Sequence, residues 1–95
     1  MSGIAAEILA QLDRIRPKHP LEAEGWRYTD PPGRFSPEFW QKFLAILGEG
    51  EYLILAESSG VGSGGQPWHR GQLMISPAGQ RNLSAWLAAG TDGVQ

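Results

Sequence analysis

The residues of this chain with chemical potential are few, and most fall between Glu51 and Leu87. His19 and His69 are the only histidines, and the chain has no cysteine. Neither histidine has a second ligand at metal-binding spacing, so no metal site is expected. Ser58, Ser59 and Ser63 share a glycine-rich stretch with His69, but no nucleophile-elbow pattern surrounds them. Glu49, Glu51 and Glu57 do not form a recognisable carboxylate pair. The expectation is a non-catalytic protein with no cofactor.

Gly60-Val61-Gly62-Ser63-Gly64-Gly65 contains the spacing Gly-x-Gly-x-x-Gly after an apolar run. A dinucleotide site needs that loop to open a helix whose amides receive the pyrophosphate. Gln66-Pro67-Trp68 and a second apolar run follow instead. No acidic residue stands at the ribose-binding distance, so the motif does not point to a nucleotide. Trp68-His69-Arg70 is the more distinctive feature. It sets an aromatic ring beside two potential cations, which suits a contact tip: arginine for a phosphate or carboxylate, tryptophan for stacking or packing.

The elements that must position these residues can be read from periodicity and punctuation. Ile4, Ile8, Leu9, Leu12 and Ile15 recur at helical spacing, so a helix is expected over roughly Gly3 to Arg16, with Pro17 as its stop. Arg14, Arg16, Lys18 and His19 cluster at its end, where cations favour the helix dipole. Pro20 to Arg34 reads as an ordered loop held by Trp26 and Tyr28. One helical turn at Leu21 to Glu24 and a short strand at Trp26 to Tyr28 fit within it. Ser36-Pro37-Glu38 is a helix start: a capping hydroxyl, a proline at the first helical position and an acid in the first turn. That helix runs to about Leu47, and Gly48 ends it. Its aromatic and aliphatic content leaves little polar surface. Tyr52 to Ala56 and Gln72 to Ile75 read as an antiparallel pair joined by a long loop, Ser58 to Gly71, with a mobile tip expected. Ser76-Pro77 then starts a last helix ending near Leu87, and residues from about 90 to 95 read as a frayed tail.

Composition narrows the classes. Ninety-five residues make one domain over 1–95. Eight basic and ten acidic residues give a formal charge of -2, without the basic excess of a strongly electrostatic nucleic-acid binder. No apolar stretch approaches the ~20 residues of a membrane span. The N-terminus lacks a signal-peptide pattern, so a cytoplasmic protein is expected.

The segment Leu73-Met74-Ile75-Ser76-Pro77-Ala78-Gly79, continuing to Leu83, Trp86 and Leu87, resembles the wing strand and following helix of winged-helix regulators of the MarR-like and PadR-like kind. The resemblance covers about 35 residues. It implies an α+β fold ordered helix, loop, helix, two-stranded antiparallel ribbon, helix. It also implies a small DNA-binding transcription regulator. Trp68, His69 and Arg70 would then lie in the wing, and Glu38, Gln41 and Lys42 on the helix that meets the duplex. On that reading a basic face joins Arg14, Arg16, Lys18, Arg34, Lys42 and Arg70, and terminal helices make a homodimer. The alternative is a protein–protein interaction module, an adaptor or small inhibitor, with an apolar patch around Phe39, Trp40, Phe43 or Trp68. The residues expected to meet DNA or a protein partner are Arg34, Gln41, Lys42, Trp68, His69 and Arg70.

Overall fold

A computed structural model describes residues 3–12, 20–31 and 33–89. The order is α1 (Gly3–Leu12), α2 (Pro20–Ala23), β1 (Arg27–Thr29), α3 (Pro37–Leu47), β2 (Tyr52–Val61), β3 (Pro67–Ile75) and α4 (Pro77–Ala88). The basic cluster Arg14, Arg16, Lys18 and His19 lies outside the described residues, as do the end of the expected first helix and the tail from residue 90. Among the described residues, no helix is long and apolar enough to cross a membrane.

The fold is a small α+β domain with a three-stranded antiparallel sheet in the order β1-β3-β2. The sheet therefore has one strand more than the expected ribbon. Arg27, Tyr28 and Thr29 pair with Ile75, Met74 and Leu73, which makes β3 the central strand. Beyond β1, Phe35 and His69 exchange backbone hydrogen bonds of 3.0 and 2.7 Å, so the pairing resumes along β3. One helix, α3, separates β1 from β2.

The long loop expected at Ser58 to Gly71 is instead mostly strand. β2 continues to Val61, β3 begins at Pro67, and Gly62 to Gln66 make a tight turn closed by Gly62 N–H donating to the Gln66 carbonyl at 2.8 Å. Glycine usually weakens a strand, but here two glycines make room for aromatic rings. A Cβ on Gly71 would stand 2.6 Å from the Trp40 ring, and one on Gly60 would stand 2.6 Å from the Trp68 ring. Gly60 and Gly71 are thus packing features, whereas Gly62, Gly64 and Gly65 belong to the turn, where Gly65 takes a φ of 80°.

Three of the helices, α1, α3 and α4, cover one face of the sheet. Ile8 and Leu12 from α1, Trp40, Phe43 and Leu47 from α3, and Leu83 from α4 close over Leu73 and Ile75 of β3. The two serine-proline helix starts form as expected. Ser36 Oγ accepts from Phe39 N–H, and Ser76 Oγ accepts from Gly79 N–H. Ser76 also donates to Glu51 Oε1, which ties the start of α4 to the segment entering β2. Gly79 lies so close to the sheet that a Cβ would stand 2.7 Å from the Glu51 carbonyl. Close by, Asn82 Nδ2 donates to the Leu47 carbonyl at 2.7 Å and satisfies the end of α3.

Candidate binding face of the sheet

Side chains alternate across a strand, so β3 divides its residues between two faces. Ile75, Leu73, Gly71 and His69 face the helices. Met74, Gln72, Arg70 and Trp68 face the other way, onto a surface that α1, α3 and α4 leave open. The register with β2 slips between Ile54 and Ala56, so Leu55 is the extra residue of a bulge. Leu53 and Leu55 join the outer face at 48% and 47% exposure.

The three residues of Trp68-His69-Arg70 therefore separate. His69 turns inward and its side chain is largely buried. Its ring stacks on Trp40 at 5.0 Å and lies near Phe35. Its Nε2 stands 2.9 Å from Glu57 Oε1 but makes no aligned hydrogen bond, so the contact is a charge pairing available to the protonated imidazole. Trp68 and Arg70 are outward. Trp68 rests over Gly60, and the Arg34 guanidinium sits 4.2 Å from its ring centre. That is a cation–π stack, and it holds both side chains on the outer face.

Arg70 opens onto a polar groove of about 260 Å³ together with Asp30, Ser58 and Gln72, over a floor that includes Ala56 and Gly71. Arg70 has no ion-pair partner among the described residues. Nearer the base of the sheet, Pro20, Leu21, Leu55 and Met74 line an apolar hollow of about 220 Å³. Tyr28 pairs with Met74 in the same region, and burial together with the Asp30 carboxylate raises its phenol above the ordinary 10.0.

Gln41 and Lys42 are exposed on α3, which lies in the helical layer on the opposite side of the sheet. Arg34, Trp68 and Arg70 thus share one surface, Gln41 and Lys42 share another, and His69 lies between the layers. The apolar patch expected around Phe39, Trp40 and Phe43 does not form. Trp40 and Phe43 are 2% and 1% exposed, because they supply the α3 contribution to the core. Among the described residues, the exposed large apolar side chains are instead Leu53, Leu55 and Val61. Asp30, Ser58, Gln72 and the two leucines do not stand out by residue type. One signal did mark the leucines: Tyr52 to Ala56 is apolar at every position, the pattern of a strand covered on both faces.

Among the described residues, no cluster of three or more histidine, aspartate or glutamate side chains could hold a metal. Comparisons with protein-family models, curated proteins and solved structures give no match, so the reading of this face rests on its geometry.

Proposed function

We propose that the chain is a non-catalytic binding domain that engages a protein partner through the hairpin end of the outer sheet face. The observation that carries this reading is the composition of that surface. Arg34 stacks on Trp68, and Arg70 lies free over a groove shared with Asp30, Ser58 and Gln72. Tryptophan and arginine are the side chains that dominate protein interfaces, because each combines apolar area with directional bonding. Asp30 beside Arg70 offers both signs of charge, which suits a polypeptide carrying its own carboxylates and cations.

A DNA-binding regulator with a winged-helix-like arrangement is the second reading. It is favoured by the two arginines that flank Trp68 on one face of a ribbon followed by the Ser76-Pro77 helix. Against it stand the formal charge of -2, the single helix between β1 and β2, and the separation of Lys42 from Arg70 by the whole sheet.

Affinity capture with the wild type and the variants Trp68→Ala, Arg70→Glu and Lys42→Glu separates the two. A protein partner retained by wild type and K42E, and weakened at least about thirtyfold by W68A and R70E, is the expected outcome, since a central tryptophan or arginine contributes roughly 2 kcal/mol or more. Duplex binding at low salt that falls steeply as salt rises would replace this reading with the DNA one.

A further inference from the structure

We infer that the polar groove at Arg70 receives an acidic and a basic side chain from one extended polypeptide, the carboxylate at Arg70 and the cation at Asp30. The pair belongs to the protein partner proposed above, so the inference rests on that reading of the outer face.

The strand register lays out the groove. Ser58 pairs with Arg70, and Ala56 pairs with Gln72, so two successive rungs face outward. β1 ends with Thr29 opposite Leu73. Continued by one residue, that register brings Asp30 beside Gln72 and diagonal to Arg70, in keeping with their lining one groove. The space of about 260 Å³ opens over Ala56 and Gly71, which carry the least side chain.

The polar groups around this space are uncommitted. Among the described residues, Arg70, Asp30, Ser58 and Gln72 make no side-chain hydrogen bond or ion pair. Arg70 and Asp30 thus line the same groove with opposite charge and do not bridge each other. Glu57 lines it too, but its Oε1 stands 2.9 Å from His69 Nε2, which directs that carboxylate to the inner side.

Charge then selects the occupant. Two carboxylates, Asp30 and Glu57, stand around one guanidinium. A phosphate dianion brought to Arg70 meets both, whereas a carboxylate accompanied by a cation offsets them. The Arg70 fork pairs with a carboxylate, and the Ser58 hydroxyl and Gln72 amide have protons to donate to it. Asp30 accepts from an ammonium or guanidinium. Diagonal neighbours in a sheet lie roughly 7–8 Å apart, and side chains two residues apart on an extended chain lie roughly 6.6 Å apart. The matching epitope is an acidic and a basic residue at positions i and i+2 of an extended segment.

The test is NMR titration of the full chain with the capped pentapeptide Thr-Glu-Val-Lys-Thr and its reversed form Thr-Lys-Val-Glu-Thr. Saturable shifts at the Arg70 side chain and at the amides of Ser58 and Gln72 are expected with one of the two. Asp30→Asn, Arg70→Gln and the groove-filling Ala56→Leu should each weaken that binding at least about fivefold. The helix-layer control Lys42→Gln should leave it unchanged. Asp30 and Arg70 are exposed, so D30N and R70Q keep the fold even if A56L does not. Phosphoserine in place of the peptide's glutamate should not tighten binding. No saturable shift with either peptide, binding indifferent to D30N, or tighter binding of the phosphoserine form would overturn the inference. The wider reading fails separately. A protein captured by wild type, lost by W68A and retained by D30N and R70Q would leave that reading standing and overturn the inference. Saturable peptide binding with no captured protein would uphold the groove's chemistry and remove the wider reading.

Discussion

The two faces of this sheet are built from the same strands and differ in what covers them. On the inner face Ile75, Leu73, Gly71 and His69 of β3 are all taken up by packing. Trp40 stacks on Phe35 at 5.5 Å and on His69 at 5.0 Å, and Gly71 is small because the Trp40 ring lies against it. On the outer face the contacts are sparse: a cation–π pair near the turn, a polar groove, and two half-exposed leucines at the base. The difference is what separates stability from recognition in a small domain. A face closed by helices contributes to folding, and a face left open keeps its apolar and charged groups for a partner.

Substitutions on the two faces should therefore have unequal effects on folding. The largest is expected from Trp40→Ala, which empties the centre of the inner layer and should cost about 3–5 kcal/mol in urea unfolding. Gly71→Ala tests the same contact from the strand side. Its methyl would stand 2.6 Å from the Trp40 ring and 3.3 Å from the Ala56 carbonyl. Overpacking of that kind costs roughly 1–3 kcal/mol. An unchanged denaturation midpoint in G71A would mean that Trp40 has another place to go, and the contrast between the faces would weaken.

Outer-face changes should be small on the same measurement. Arg34→Ala removes the stack on Trp68 and should cost about 0.5–1 kcal/mol, with a change in tryptophan fluorescence. Leu55→Lys should stay within about 0.5 kcal/mol, because the side chain is half exposed. A loss as large as that of W40A would show that the leucine is part of the core.

The smallest effect concerns pH. The Tyr28 phenol ionises above 10.0 in the folded chain, first through burial and then through Asp30. The folded state thus holds this proton more tightly than the unfolded chain does. Its contribution is fully present below 10.0 and is lost as pH rises through the folded value. Wild type should lose stability relative to Tyr28→Phe over that alkaline window in pH-dependent urea unfolding, and parallel curves would contradict the assignment.

Much of this was legible in the chain, for local reasons. The cap-proline pairs Ser36-Pro37 and Ser76-Pro77 specify helix starts through bonds to residues three positions on. The apolar run from Tyr52 marks a strand. The extent of β2 and β3 was not legible, because glycine content reads as a turn wherever the ring that fills the space is distant in sequence. Trp40 lies far along the chain from Gly71, and only the folded structure shows that one accommodates the other.

The division of Trp68, His69 and Arg70 follows the same rule. Their residue types, an aromatic and two potential cations in succession, were set by the sequence alone. So was the alternation that sends neighbours to opposite faces, once they lie on a strand. Which face is buried was decided by tertiary packing: α3 brings Trp40 against Gly71 and His69, which closes the inner side. That closure leaves Arg34, Trp68, Arg70, Leu53 and Leu55 together on the outside. The physical reason is that burial depends on which distant element arrives to cover a surface, and no local pattern in the strand contains that information.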